Sequence, residues 1–203
     1  MSNLITQNSK LKKTSKKMGV RVFNFGIPAF NDPETGKRTC PFAGACAKFC
    51  YAQKGAYVWS NVQPAFIHRY KATKKGDFIA VMSDEVRKKK VEYLRVHDSG
   101  DYYSPAYIDK WVKIAEDNPH VNFYSYTKSI PLWRGRLRPK NMDIIYSEGS
   151  TVDHMIDYKH DRHARIFKSE EELLDNGYVD ASSNDLMATK WFNKSNKIGL
   201  IYH

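Results

Sequence analysis

The sequence predicts an α/β protein built on a parallel sheet, and three observations predict it. Short apolar, β-prone runs alternate with segments of helical periodicity. The spacers are long enough for right-handed crossovers. The polar motifs fall where the predicted strands end, the side on which parallel α/β folds bind ligands.

Residues 1–19 carry Lys10, Lys12, Lys13, Lys16 and Lys17 among Ser, Thr and Asn, a composition that predicts a flexible basic arm ahead of a single domain over 20–203. Val20, Val22, Phe23 and Phe25 predict a first strand reaching Gly26. The turn-rich N-D-P-E-T-G-K follows, then T-C-P-F-A-G-A-C-A-K-F-C-Y-A over 39–52. Residues 61–75 and 77–90 predict helices, with Phe78, Val81, Met82 and Val86 at helical spacing in the second. A strand over 91–96 ends in H-D-S-G-D. Ser104 then serves as a cap and Pro105 as the first residue of a helix whose apolar face is Tyr107, Ile108, Trp111, Val112 and Ala115. Asn118-Pro119 ends it. A third strand over 121–126 closes with T-K-S, and a basic connection carries Arg134, Arg136, Arg138 and Lys140. A fourth strand over 143–146 ends in S-E-G-S. A fifth over 164–167 precedes a helix at 169–176, where Ser169 and Glu172 fit a capping box. Residues 177–196 have no clear periodicity, and K-I-G-L-I-Y over 197–202 predicts a sixth strand. Six strands fit an incomplete barrel or an open doubly wound sheet, and periodicity does not separate the two.

Length and composition bound the function. A chain of 203 residues, 41% hydrophobic, buries a full core as one domain. No window holds 18 consecutive apolar residues, so no membrane span is expected. The basic, polar N-terminus lacks the apolar stretch of a secretory signal. Three cysteines make no even disulfide framework, which points to a reducing compartment, the cytoplasm. Lys and Arg number 33 against 22 Asp and Glu, a net charge of +11. That excess favours a polyanionic partner, DNA, RNA or nucleotide, or a phosphorylated or carboxylated substrate; a solvated basic face is the alternative.

All three cysteines, Cys40, Cys46 and Cys50, lie inside one short loop. A trio leaves one thiol over after pairing, so metal ligation is the stronger reading. Thiolates favour zinc or iron–sulfur clusters. Zinc asks for a fourth ligand, and none of His68, His97, His120, His154, His160, His163 or His203 stands at finger spacing from the C-x5-C-x3-C pattern. Three thiolates on a [4Fe-4S] cluster instead leave one iron open. Unliganded core cysteines are the third alternative. The polar groups at Cys40–Cys50, His97–Asp101, Thr127–Ser129 and Ser147–Ser150 all follow predicted strands and converge on one end of the sheet, although turns and caps also use such residues.

The cysteine loop, with Phe49 just before Cys50, resembles the cluster loop of the radical S-adenosylmethionine (radical SAM) superfamily, whose usual pattern is the shorter C-x3-C-x2-C. Ser99-Gly100-Asp101 is similar to that superfamily's Gly-Gly-Glu motif. More closely, C-P-F-A-G-A-C-A-K-F-C-Y-A, R-V-H-D-S-G-D-Y-Y-S, Y-S-Y-T-K-S and K-I-G-L-I-Y-H resemble a family of small bacteriophage proteins labelled gene product 88, over most of residues 20–203. That family carries no activity over, and it implies the cytoplasm of an infected bacterium. The superfamily resemblance implies a partial (β/α)6 barrel, radical-SAM-like, with parallel strands and the three-cysteine cluster loop after strand 1.

The same resemblance implies a chemistry. Cys40, Cys46 and Cys50 would each hold one iron of a [4Fe-4S] cluster, S-adenosylmethionine would chelate the fourth, and an external reductant would drive its cleavage to a 5′-deoxyadenosyl radical. Ser99, Gly100 and Asp101 would meet the methionyl ammonium and Lys128 its carboxylate or a substrate phosphate, with Ser147 and Glu148 at the ribose. His97 and Asp98 would reach substrate, and Tyr103 and Tyr126, among Tyr51, Tyr102 and Tyr124, would stack a base unless they pack the core. His203 would cap the barrel. The competing expectation is a non-catalytic nucleic-acid-binding or host-factor-binding phage protein with structural zinc or a structural cluster.

Overall fold

Seven parallel strands make one sheet: β1 (Val22–Phe25), β2 (Tyr93–Val96), β3 (Asn122–Thr127), β4 (Met142–Ser147), β5 (His163–Phe167), β6 (Val179–Asp180) and β7 (Lys197–Ile201). Their order is β1-β2-β3-β4-β5-β7-β6, curled into a half barrel. The curl decides between the two architectures that periodicity leaves open. The computed structural model describes residues 3–48 and 50–202; Phe49 and His203 lie outside the described residues. The six predicted strands are all present. The seventh, β6, is two residues long inside the unreadable 177–196 stretch, too short to show any period.

The helices are α1 (Ser9–Met18), α2 (Gln63–Thr73), α3 (Phe78–Lys88), α4 (Pro105–Asp117), α5 (Ile130–Trp133) and α6 (Glu170–Asp175). Ser104 caps α4 by accepting from the Tyr107 amide, and Ser169 caps α6 through the Glu172 amide. Glu172 returns its carboxylate to the Lys168 amide at 3.0 Å, one residue before the cap. Among the described residues no helix is long and apolar enough to cross a membrane.

Strand alternation divides the core. Phe25, Leu94, Val96, Phe123 and Ile144 pack on Phe78, Met82, Ile108 and Trp111 of α3 and α4. On the other face, Val22 and Tyr124 meet Leu11 of α1 and Leu186, while Ile145, Ala164 and Ile198 meet Ala181 and Ala188. The N-terminal segment and residues 181–196 therefore fill the side of the sheet that the helices leave open.

The expected flexible arm is replaced by packed structure. Leu4 and Ile5 are buried, and their amides donate to the Glu85 carboxylate at 2.8 and 3.1 Å. Thr6 bridges Asn24 on the outer edge of β1, and Asn8 caps α1. Leu11, Thr14 and Met18 lie at helical spacing on the buried side, while Lys12, Lys13, Lys16 and Lys17 stay exposed. Composition alone records the lysines; the few apolar residues between them carry the docking.

Between α1 and the sheet sits a buried carboxylate. Asp185, wholly buried, accepts from Tyr124 Oη at 2.5 Å and Arg95 at 3.0 Å and pairs with Lys10 Nζ at 2.8 Å. Burial opposes its ionisation, but Arg95 and Lys10 beside it hold its carboxyl below the usual range. The basic connection after β3 is likewise engaged internally: Arg134 pairs with Asp161, Arg136 with Asp109, and Arg138 donates to Tyr146 Oη. That run is less of a free polyanion surface than its composition predicts.

His97, expected at a substrate, belongs to the core. It is 3% exposed, at φ +68°, ringed by Phe25, Tyr102, Tyr107 and Trp111, with Nε2 2.9 Å from Tyr107 Oη. Burial lowers its pKa to about 3.

Two predictions test these packings. Asp185→Asn leaves Arg95 buried without its charge partner and costs about 3–5 kcal/mol of stability by urea denaturation. The imidazole of His97 stays neutral when folded but protonates near pH 6.5 when unfolded, so the unfolded chain binds the extra proton and stability falls as pH drops from about 6.5 toward 3. His97→Asn, which tolerates the left-handed backbone, removes that share of the slope; equal loss of stability between pH 7 and 5 in both proteins refutes the assignment.

Candidate metal centre

Because every strand runs the same way, the loops leaving β1, β2, β3 and β4 share one end of the sheet. The cysteine loop leaves β1 and folds back across the β4 exit. Ala43 bridges Ser150, and the Gly44 and Cys46 amides both donate to the Gly149 carbonyl at 3.1 and 3.3 Å. Gly149 holds φ +91°, a conformation that favours glycine, and a Cβ there would stand 3.6 Å from Cys46 Cβ. At the start of the loop, the Cys40 amide donates to the Phe30 carbonyl, and the Phe30 amide lies 3.3 Å from Cys40 Sγ. All three cysteines are free thiols and half-buried.

The thiols share one electrostatic neighbourhood. Burial, then the Asp101 carboxylate, pushes the Cys40 thiol up to about 12, with Cys50 and Cys46 adding to the rise. Burial also raises Cys46, against the pull of Lys128. A bound cation reverses this logic, since it deprotonates coordinating thiols. Three thiols beside a carboxylate thus form a donor set that suits a cationic centre. Among the described residues no three His, Cys, Asp or Glu side chains close on a single metal ion. A four-iron cluster takes its thiolates on separate irons and asks for a wider spacing.

Asp101 sits differently from the ammonium contact that its motif implies. It is 4% exposed, and its carboxylate accepts from the Tyr102 amide (2.7 Å), Thr127 Oγ1 (2.6 Å) and the Lys128 amide (2.8 Å). Its own amide donates to the Thr39 carbonyl at 3.1 Å. Asp101 is therefore a clasp joining the β2 and β3 exits to the cysteine loop. Burial still raises its pKa against those hydrogen bonds. Ser99 is buried, and its carbonyl accepts from the Ile27 amide. Gly100, at φ +76°, lies so close to Ile27 that a Cβ would stand 2.3 Å from Cγ1.

Lys128 and Ser147 meet as the strand-end argument expects: Nζ donates to Ser147 Oγ at 2.8 Å, beside Cys46 and Gly149. Glu148 is committed elsewhere, its Oε2 accepting from Arg165 of β5 at 2.7 Å while Oε1 is buried without a partner. Asp98 is buried behind Gly26, with one oxygen on Asn24 Nδ2 at 2.7 Å. Tyr103 stacks on Tyr107 at 4.4 Å and meets Thr73 Oγ1 of α2, within the helical layer. Tyr126 lies under the Arg95 guanidinium, 5.0 Å away, with its buried hydroxyl unpartnered. The structure thus gathers Cys40, Cys46, Cys50, Asp101, Lys128 and Ser147, sets His97 and Tyr103 among packed aromatic rings, and buries Asp98 beside Asn24. Sequence reasoning missed Arg95 and Asp185; the signal for Arg95 was a charge in the middle of an otherwise apolar strand, Y-L-R-V.

Comparison with known proteins adds a family but no activity. The Gene product 88 family matches residues 2–201. The Gene 88 protein of Mycobacterium phage L5 is 33% identical over 102 residues, covering 44% of this chain and 43% of the relative. The Gene 88 protein of Mycobacterium phage D29 is 32% identical over 102 residues, covering 44% and 42%. The chain spans less than half the length of these curated relatives. No solved structure matches it. With nearly the whole sequence matched, and with phage proteins as its relatives, the chain belongs to the Gene product 88 family.

Proposed function

We propose that this is an iron–sulfur protein in which Cys40, Cys46 and Cys50 hold a [4Fe-4S] cluster with one iron open, and that S-adenosylmethionine is its ligand, as in a radical SAM enzyme acting on a nucleic acid or nucleotide. One observation carries the reading: the other two cysteines and the Asp101 carboxylate lie close enough to Cys40, and Cys50 and Asp101 close enough to Cys46, to oppose their ionisation, with Lys128 beside Cys46. When bound and reduced by an external donor, such a cluster supplies an electron to a sulfonium. The chain's own part is to position and to shield. Lys128 offers an ammonium to a ligand carboxylate, steadied by Ser147 Oγ. Asp101 is a positioning residue, acting through the Lys128 amide and Thr39 rather than by touching the ligand.

The rival is a nucleic-acid or host-factor binder with a structural metal, zinc or cluster. It draws on α1, which turns Lys12, Lys13, Lys16 and Lys17 to solvent.

Anaerobic reconstitution should yield about four irons and four sulfides per chain. Each of Cys40→Ser, Cys46→Ser and Cys50→Ser should lower that content while the fold, read by circular dichroism, persists. The spin-resonance signal of the reduced protein should change on adding S-adenosylmethionine, with 5′-deoxyadenosine formed. Stoichiometric zinc without iron overturns the cluster; an unchanged signal with no product overturns the ligand. Lys128→Ala should keep the iron and weaken S-adenosylmethionine binding by about tenfold or more, as expected for a lost charge-assisted hydrogen bond.

A further inference from the structure

From Thr35 to Gly76 the chain has no Asp or Glu, and it carries eight Lys or Arg. Three of those cations are engaged: Arg69 is buried, Lys71 pairs with Glu34 at 2.6 Å, and Lys74 Nζ lies 3.7 Å from the centre of the Tyr70 ring. Lys37, Arg38, Lys48 and Lys54 are exposed, and among the described residues none of the four is ion-paired. They flank the thiols in the chain. Lys37 and Arg38 precede Cys40, Lys48 falls between Cys46 and Cys50, and Lys54 follows Cys50.

The same stretch exposes apolar rings. Nine large hydrophobic side chains are exposed among the described residues, and three of them, Tyr51 (56%), Val58 (48%) and Trp59 (59%), fall within 51–59. Such clustering, unlike singly scattered apolar residues, marks a surface that meets a partner. Tyr51 directly follows Cys50, and its ring is fixed at both ends of its reach: Oη donates to the Asp98 carbonyl at 2.5 Å, and the Tyr57 ring stands edge-on to it at 5.5 Å. The backbone under Trp59 is fixed too, its carbonyl accepting from the Val62 and Gln63 amides, both at 2.9 Å, where α2 begins. The Arg38 guanidinium lies 4.3 Å from the centre of the Phe30 ring, and Phe30 lines the same cavity as Tyr57 and Val58, so the Arg38 arm adjoins the aromatic turns. Rings and cations held in place before a partner arrives lose little freedom on binding.

We infer that this rim binds single-stranded nucleic acid, with bases stacking on Tyr51 and Trp59 and phosphates against Lys37, Arg38, Lys48 and Lys54. Unpaired cations interleaved with exposed rings, and no carboxylate among them, are the chemistry that holds a single strand without regard to its sequence. A duplex keeps its base faces stacked inside and offers nothing to Tyr51 and Trp59. A strand on Tyr51 runs past Cys50. The inference names the substrate class of the proposed thiol site and to that extent rests on that reading, but binding itself needs no metal.

Fluorescence anisotropy of labelled oligonucleotides titrated with the full, metal-free chain tests it. An oligothymidylate of about 12 nucleotides should bind, and its duplex with oligoadenylate at least several-fold more weakly. Trp59→Ala should weaken binding about tenfold or more, while Trp59→Phe, which keeps a flat ring, should stay within about threefold. Trp111 and Trp133 are buried, so quenching of tryptophan emission by the strand should come mainly from Trp59 and should fall in Trp59→Phe although that variant still binds. Lys48→Gln with Lys54→Gln should lower the slope of log affinity against log salt by about 0.7 per lysine. No binding of the single strand, equal binding of the duplex, or full affinity in Trp59→Ala would each overturn the inference. So would loss of binding in Lys12→Gln with Lys16→Gln but not in the Lys48 and Lys54 variant, or quenching by phosphatidylglycerol vesicles with none by oligonucleotide, which assigns the rim to a membrane surface. Strand binding by a chain that takes up no iron supports the inference while removing the cluster, and a cluster without strand binding does the reverse.

Discussion

The mouth of the half barrel depends on how the Asp101 carboxylate is satisfied. A buried carboxylate without partners is costly, and a set of hydrogen bonds to the charged form is how proteins keep one. Here the donors come from Tyr102, Thr127 and Lys128, while the Asp101 amide reaches Thr39. Segments near residues 39, 101 and 128 are thereby brought to one point, next to Cys40. The clasp has an electrostatic consequence: the same carboxylate makes the Cys40 thiolate harder to form. A cationic centre at the thiols relieves both groups at once, which couples the geometry of the loop to the charge of whatever fills it.

A second carboxylate governs the opposite part of the interior. Asp185 ties α1, β2, β3 and the C-terminal segment through Lys10, Arg95 and Tyr124. Leu11, Leu186, Ala181 and Ala188 then cover the sheet face that α3 and α4 do not. A half barrel leaves one face in need of cover, and this chain supplies it from its two ends rather than from further strands. With that face filled, the strand exits remain the place where polar side chains meet open space.

Much of this organisation is legible in the sequence because it rests on local signals. Phe78, Val81, Met82 and Val86 keep helical spacing, Ser104-Pro105 marks a helix start, and every predicted strand forms. The cysteines and the motifs after each strand are legible because parallel topology alone brings them to one end. Roles within that end are not, because they depend on where a side chain turns. His97 enters a left-handed backbone and points among aromatic rings, Glu148 is drawn off by Arg165, and Asp101 is turned inward by its neighbour Tyr102 and by Thr127 and Lys128 of another segment. Residues 1–19 mislead for a related reason: five lysines dominate the composition, while Leu4, Ile5 and Leu11 decide the structure.

Charged residues stand at both ends of the sheet. Arg21, Lys90 and Lys140 precede β1, β2 and β4, and Lys197 opens β7, all four exposed at the end where strands begin. At the end where strands finish stand the three thiols with Asp98, Asp101 and Glu148, together with Lys37, Arg38, Lys48 and Lys54 in the segment leaving β1 and Lys128 and Lys168 after β3 and β5. The +11 of the whole chain therefore says little about the mouth. The potentials of exposed lysines add over many side chains, on α1 as at the strand starts. At the thiols the balance is local: burial and the Asp101 carboxylate oppose ionisation of Cys40, while Lys128 favours that of Cys46. The charge that matters at the mouth is therefore set by the few groups next to the sulfurs, Asp101 and Lys128, and not by the excess of the whole chain.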